Sequence, residues 1–412
     1  MKIDKVKVKE AMEKNKIKTQ TELAEKLGIT KNQLSLMLSG KYDPVKTRVL
    51  ELSKILNVLP TDIMEGEDMK NFDIEIENDG SSVTSIELFA GAGGLALGLE
   101  KAGIETKAFV EVDKYCCETL RRNRPDWNVI NEDVSKVDFK QYKGKIDLVT
   151  GGFPCQAFSY AGKKLGFNDI RGTLFYEFAR CIKEVEPLMF MGENVRGLKS
   201  HDNGRTLNTI LDVLESLGYD VQYKVLNACE YGVAQKRERL VIIGTKKGLD
   251  IKFKYPTPYE KITVLKEALK DCPKSEGQEY SEKKRNVLKL VPPGGCWIDL
   301  PEAIQKEYMG KSYYSGGGKR GMARRISWDE PCLTLTCSPS QKQTERCHPD
   351  ETRPFTVREY ARIQSFPDEW EFSGGIGEKY KQIGNAVPVE LARNVGEEIV
   401  NSIIEYKNRE EI

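Results

Sequence analysis

Cys155 stands in Gly151-Gly152-Phe153-Pro154-Cys155-Gln156, directly after the mostly apolar run Ile146 to Val149. A cysteine where a buried strand breaks into a Gly/Pro turn is poorly placed for packing and well placed for nucleophilic attack. A second apolar run, Leu188 to Met191, ends in Gly192-Glu193-Asn194-Val195. If both runs are parallel strands of one sheet, Cys155 and Glu193 emerge together at its carboxyl edge, where open α/β sheets bind ligands. A thiolate beside a carboxylic acid suits addition to a ring that must be protonated as it is attacked. Further on, Tyr231-Gly232-Val233-Ala234-Gln235-Lys236-Arg237-Glu238-Arg239 runs into Leu240 to Gly244. In an extended chain Gln235, Arg237 and Arg239 share one face, so three donor side chains point the same way.

The elements that must position these groups begin at Thr84 to Phe89, which reads as a buried strand and is followed by Ala90-Gly91-Ala92-Gly93-Gly94-Leu95-Ala96-Leu97-Gly98. Glycines there let a ligand approach the backbone while the next helix presents its amino end. Glu111 at the end of Lys107 to Val110 completes a loose dinucleotide fingerprint, a weak signal alone. It predicts a nucleoside-like cofactor across the sheet, its ribose hydroxyls on Glu111. Asp133, after the strand Trp127 to Ile130, offers a carboxylate to an adenine amino group, or caps a helix.

Taken in order, these segments resemble the C5-cytosine DNA methyltransferases, from about Ser85 to the C-terminus. The resemblance rests on Glu87-Leu88-Phe89-Ala90-Gly91-Ala92-Gly93-Gly94, Gly152-Phe153-Pro154-Cys155-Gln156, Gly172-Thr173-Leu174-Phe175, Glu193-Asn194-Val195, Gln235-Lys236-Arg237-Glu238-Arg239, Arg353 to Trp370, and Gln382-Ile383-Gly384-Asn385-Ala386-Val387-Pro388. Met191-Gly192 stands before Glu193 where the family usually has bulkier apolar residues. The resemblance implies a Rossmann-like α/β sheet and S-adenosylmethionine as cofactor. It makes Cys155 the nucleophile, Glu193 the acid at cytosine N3, Arg239 a contact to the O2 face, and Arg237 an organiser of the loop and the DNA. Phe89, Gly91, Gly93, Gly94, Glu111, Val112, Asp133, Val134, Pro154, Leu174, Asn385 and Ala386 would surround the cofactor. Because C5 and C6 are stacked in a duplex, the target cytosine must be flipped out. Gln156 to Gly172 would close over it, with Gln156, Ser159, Lys163, Lys164 and Arg171 meeting DNA.

A chain of 412 residues is too long for one ordinary core. Its net charge of +1 hides an uneven distribution: Met1 to Met64 carries 13 Lys/Arg against 8 Asp/Glu, whereas Glu65 to Ser82 holds seven acids and one lysine. The expected organisation is residues 1–64 as an all-α DNA-binding domain, 65–82 as an acidic linker, 83–250 as the catalytic domain, 251–379 as a smaller target-recognition domain, and 380–412 as a segment returning to the catalytic domain. Ten cysteines without paired C-x-x-C spacing and no long apolar segment point to a reducing, cytoplasmic setting, off the membrane. Cys332, Cys337, Cys347 and His348 lack the paired spacing of a structural zinc site, so no metal is expected.

Near the N-terminus, Thr19 to Leu27 and Lys31 to Leu38 have helical periodicity around Gly28-Ile29-Thr30, with Thr30 as cap. The pattern resembles the phage-repressor-like helix-turn-helix family, which would put Lys31, Asn32, Gln33 and Ser35 in a major groove and make this piece a dimer on an operator beside a monomeric catalytic unit. From Ile251 to Thr352 the periodicity is poor, and glycine, serine and basic residues are frequent. With Gln235, the loop residues Arg324 and Lys342 are expected to donate to bases and phosphates of duplex DNA. The resulting expectation is a restriction-modification methyltransferase with an N-terminal transcriptional repressor. An RNA cytosine methyltransferase fits the repressor-like helices less well, a regulator with a vestigial domain has no use for an intact catalytic set, and an NAD or FAD oxidoreductase has none for Cys155 with Glu193.

Overall fold

The computed structural model describes residues 3–27 and 29–39, scattered positions from 49 to 63, and residues 82–154, 173–314 and 321–410. Cys155, Gln156, Ser159, Lys163, Lys164, Arg171 and Gly172 lie outside the described residues. The chain divides into two compact units, Met1–Asn78 and Asp79–Ile412.

In the first unit, helices α1 (Lys5–Lys14), α2 (Gln20–Lys26) and α3 (Lys31–Met37) enclose a core that includes Val8, Leu23, Leu34 and Met37. Asp4, Thr19 and Thr30 cap their starts by accepting from backbone N–H groups one turn in. Lys31, Asn32, Gln33 and Ser35 are exposed on α3. The Gln33 carboxamide oxygen is engaged locally, accepting from Thr30 N at 2.8 Å in a capping box.

The second unit is built on seven strands: β1 (Val83–Leu88), β2 (Ile104–Glu111), β3 (Val129–Asn131), β4 (Leu148–Gly151), β5 (Met189–Val195), β6 (Tyr219–Asn227) and β8 (Glu238–Lys246). Their order is β3-β2-β1-β4-β5-β8-β6. The first five are parallel, while β8 runs antiparallel between β5 and β6. Such strands are near-continuous in apolar residues because both faces are covered. Leu88, Val110, Val149, Phe190 and Ile242 pack on one face against helices α6 (Leu174–Val185) and α7 (Arg205–Ser216). Leu148, Met191 and Val241 pack on the other, against α4 (Gly94–Lys101) and α13 (Val389–Glu410). Helix α5 (Lys114–Asn123) follows β2. The strand β3 begins two residues later than Trp127, whose ring stacks on Phe109 at 4.3 Å instead of continuing the ladder.

Beyond the sheet lie helices α8 (Leu265–Ala268), α9 (Glu282–Leu288), α10 (Glu302–Met309), α11 (Val357–Ile363) and α12 (Ile376–Asn385). A small core of Tyr280, Leu288, Val291, Leu300, Ala323 and Cys347 belongs to this region alone. Ile326, Leu335, Tyr360 and Phe366, by contrast, share a core with Leu97, Phe109 and Leu120. A two-residue strand β7 (Gln235–Lys236) pairs in parallel with β9 (Cys332–Leu333), joining the edge of the catalytic sheet to the later region.

The sheet is closed off by close helix packing of α4 on α13. A Cβ on Gly98 would stand 2.4 Å from the Ala392 Cβ and 2.5 Å from the Val389 carbonyl oxygen. Gly98→Val should therefore destabilise the second unit by about 1–3 kcal/mol, the usual cost of overpacking. Chemical denaturation followed by tryptophan fluorescence, whose reporters all lie in this unit, checks it; an unchanged midpoint would contradict the packing described.

Candidate active site

The order of strands reverses between β1 and β4, and at such a switch point the loops leaving neighbouring strands diverge and open a crevice at the carboxyl edge. A cavity of about 670 Å³ occupies it. Phe89 leaves β1 with φ +57°, an uncommon value for a side chain larger than glycine, and Gly91 and Gly93 follow at +55° and +87°. These left-handed steps fold the turn back so that α4 starts at the cavity. Gly91 faces open space, whereas Gly93 lies behind the turn, where a Cβ would meet the Trp370 ring at 2.8 Å. A Cβ on Gly94 would come within 2.2 Å of the Val387 carbonyl oxygen, so the turn fits against the segment after α12 only as glycine.

Glu111, at the end of β2, accepts from Gly91 N at 2.7 Å and from Asp113 N at 2.8 Å. Its carboxylate thus fixes the glycine turn while lining the cavity. Asp133 both lines the cavity and caps the turn Val134–Lys136, accepting from Ser135 N at 2.9 Å; hydrogen bonds from the Ser135 side chain and backbone hold its carboxyl below the usual range. Phe89, Val112, Val134, Pro154 and Leu174 add apolar walls, with Asn385 and Ala386 opposite. Carboxylates at two strand ends, a bare glycine backbone and apolar flanks fit a nucleoside with ribose hydroxyls and a flat ring, and Glu111, Asp133, Phe89 and Asn385 are the groups that would hold it.

The other end of the cavity is charged. Glu193 lies on β5 and Arg239 on the antiparallel β8, diagonal neighbours on one face because Glu193 opposes Val241 and Val195 opposes Arg239. Arg239 Nε is 2.7 Å from Glu193 Oε1, and both side chains are about nine-tenths buried. Gly152 packs against the same carboxylate, where a Cβ would stand 3.0 Å from Oε2. Burial pushes the Glu193 carboxyl above the usual range, and the Arg239 and Arg237 guanidiniums pull it partly back. Arg237 is buried deeper and lowered to about 9 by burial and by Arg239, so it stays charged at neutral pH. It donates to the carbonyls of Leu335 at 3.0 Å, Gly384 at 2.8 Å and Ala386 at 3.0 Å. Asn194 Nδ2 donates to the Phe153 carbonyl at 2.8 Å, tying the turn that leads towards Cys155 to the strand that carries Glu193.

The cavity therefore brings together Glu193, Arg237 and Arg239 with Phe89, Gly91, Gly94, Glu111, Val112, Asp133, Val134, Pro154, Leu174, Asn385 and Ala386. Three residues expected at DNA are engaged within the protein. Gln235 is fully buried between Gln364 and the Leu335 backbone; Arg324 Nη2 donates to both carboxylate oxygens of Glu330; Lys342 donates to the Tyr308 carbonyl. Sequence reasoning assigned no role to Asn194, to Lys381, which reaches Asp113 at 3.0 Å on the cavity wall, or to Glu87, an acid within an apolar strand that burial holds well above its ordinary pKa. For Glu87 the signal was available, since a carboxyl in a buried strand needs a reason.

Strand order, switch point and cavity define a Rossmann-like methyltransferase sheet. The sequence model of the C-5 cytosine-specific DNA methylase matches residues 83–401, and that of the Cro/C1-type HTH DNA-binding domain residues 7–68. The chain belongs to the C-5 cytosine-specific DNA methylase family and is a DNA cytosine-5 methyltransferase carrying an N-terminal helix-turn-helix domain. It is 55% identical to the type II methyltransferase M.Sau96I of Staphylococcus aureus, over 98% of this chain and 100% of that one. With M.Eco47II of Escherichia coli it shares 60% identity over 79% and 81% of the two chains. A DNA modification methyltransferase encoded in an E. coli prophage superposes with a TM-score of 0.57 at 27% identity, covering 78% of this chain and 99% of its own. DNMT2 of Spodoptera frugiperda has the same fold at 16% identity, with a TM-score of 0.58 and coverage of 77% and 99%. Membership implies S-adenosylmethionine as methyl donor and DNA as partner. Among the described residues no helix is long and apolar enough to cross a membrane.

The Glu193–Arg239 pair makes a prediction of its own. Removing the guanidinium removes the attraction that favours the carboxylate, so Arg239→Leu should move the Glu193 pKa further up. A carbon-13 NMR titration of labelled glutamate carboxyls, with Glu193→Gln for assignment, checks this; a downward shift would contradict the pair.

Proposed function

We propose that the protein methylates C5 of a cytosine flipped out of duplex DNA at a short recognition site. The observation that carries this reading is Glu193: a buried carboxyl of raised pKa, oriented by Arg239, in the cavity that also holds Glu111 and Asp133. Cytosine C5 is too poor a nucleophile to take a methyl group unaided. Addition of the Cys155 thiolate to C6, with a proton passed from Glu193 to N3, places the ring's electron density at C5. S-adenosylmethionine, when bound, supplies the methyl group. Loss of the C5 proton to water or a base, expulsion of the Cys155 thiolate and return of the N3 proton to Glu193 then restore the aromatic ring. Arg239 would face the cytosine O2, and Arg237 would hold the turn on which Asn385 sits.

We further propose that residues 251–379 contain the target-recognition region and that methylation protects DNA from a cognate restriction enzyme, in keeping with the type II methyltransferase names of the relatives. The N-terminal helices would repress transcription of the enzyme's own gene or its nuclease's, as a dimer on an operator.

Bisulfite sequencing of a plasmid methylated by the protein tests the reading and maps the site. Glu193→Gln should lower turnover roughly 100-fold or more, the effect typical of a lost general acid, with a smaller change in DNA affinity. Cys155→Ser should abolish methyl transfer while cofactor binding stays near normal. Retained turnover in the serine variant would sink the mechanism.

Deleting residues 1–79 should leave methylation intact and remove repression in a promoter-reporter assay. Loss of methylation in the truncated protein would make the N-terminal unit part of the catalytic machine.

A further inference from the structure

Leu335 lies in the loop after β9, and both of its backbone polar groups are held by buried side chains from one short stretch of sequence. Its N–H donates to Gln235 Oε1 at 2.9 Å, and its carbonyl accepts from Arg237 at 3.0 Å. With the Gln235 oxygen so occupied, the carboxamide nitrogen points away from the loop and donates to Gln364 Oε1 at 2.8 Å. Gln364 in turn donates to the Ile383 carbonyl at 2.7 Å and the Ala386 carbonyl at 3.3 Å. Gln235 and Gln364 are both fully buried, and a glutamine amide buried at this depth keeps its orientation because reversing it would face donor to donor.

Two parallel bridges therefore join the loop Thr334–Cys337 to the turn Ile383–Ala386. One is Leu335–Gln235–Gln364–Ile383; the other is Leu335–Arg237–Gly384 and Ala386. The two backbones also touch directly, since a Cβ on Gly384 would lie 2.5 Å from the Thr336 carbonyl group. The turn carries Asn385, on the wall of the cofactor cavity. The loop, together with Gly384 and Asn385 of the turn, lines a second, open cleft of about 420 Å³ that adjoins Arg239 and continues past Arg196 and Gly197. A cleft that meets the cavity at Arg239 is where the DNA strand carrying a flipped base would lie.

We propose that Gln235 and Gln364 are positioning residues that couple the two substrates: occupation of the cofactor cavity fixes the Asn385 turn, and the glutamine bridge passes that ordering to the DNA-facing loop, and the reverse. This rests on the reading of the second cleft as the DNA path. Coupling of this kind is reciprocal, each ligand tightening the other by one common factor, typically 5–150-fold.

The test measures binding, not turnover. S-adenosylhomocysteine affinity is determined by calorimetry with and without a duplex carrying the methylation site mapped by bisulfite sequencing, and duplex affinity with and without S-adenosylhomocysteine. Wild type should show one enhancement factor in both directions. Gln364→Met, of similar volume but without donor or acceptor, should bring that factor towards one in both directions, whatever it does to either affinity alone. An unchanged factor in the variant, or no enhancement in wild type, overturns the proposal. Should the variant not fold, hydrogen exchange in the wild type decides: S-adenosylhomocysteine without DNA should slow exchange of the Leu335 amide several-fold. Slowing confined to the cavity wall would overturn it. Failure of the catalytic reading shows separately, as turnover in Cys155→Ser, and leaves these binding measurements valid.

Discussion

Three ionisable side chains, Glu193, Arg237 and Arg239, are buried together where the sheet opens, and the rest of the second unit is arranged so that this is affordable. An isolated ion taken out of water costs several kcal/mol, and only excellent pairing offsets it. Glu193 and Arg239 answer one another across β5 and β8, which is possible because β8 runs antiparallel and sets them diagonally on one face. Among the described residues Arg237 has no carboxylate at that distance, and it is instead solvated by three backbone carbonyls, from Leu335, Gly384 and Ala386. Those carbonyls come from the region after β9, from the last turn of α12 and from the residue that follows it. The charge that organises the catalytic end can therefore be buried only when the later half of the chain has folded onto the sheet.

That dependence explains why the region after residue 251 is not a free appendage. Its outer part has its own small core around Leu288 and Val291, where Arg325 donates to the carbonyls of Leu288, Val291 and His348. Its inner part, including Ile326, Leu335, Tyr360 and Phe366, is packed with α4 and β2 in one continuous core. Trp370 belongs to this inner core, with its indole N–H on the Ala92 carbonyl at 3.1 Å and its ring beneath Gly93. The glycine turn at the cofactor cavity is thus backed by residues nearly 300 positions later in sequence.

Much of this was legible in the residues. Buried parallel strands announce themselves as apolar runs, and Val83–Leu88, Leu148–Gly151 and Met189–Val195 overlap the runs Thr84 to Phe89, Ile146 to Val149 and Leu188 to Met191, the last two strands extending beyond the carboxyl ends of their runs. The alternation of Gln235, Arg237 and Arg239 with Lys236 and Glu238 predicts one shared face, and the first three are buried while Lys236 is exposed. What the pattern could not say was what that face meets. Gln235 reads equally well as a donor to DNA or to another glutamine, because its partner Gln364 is 129 positions away. Arg324 and Lys342 looked free for the same reason: composition shows a cation but not the Glu330 carboxylate or Tyr308 carbonyl that engages it.

The central claim is that the Cys155 sulfur adds to C6 of cytosine while Glu193 protonates N3. It is tested most directly with a duplex in which 5-fluorocytosine replaces the target cytosine. Fluorine at C5 cannot leave as a proton does, so the methylated adduct should be trapped, and peptide mass spectrometry should place it on Cys155, with adduct formation much slower in Glu193→Gln. Absence of any adduct in the presence of S-adenosylmethionine, or attachment to a residue other than Cys155, would contradict the account.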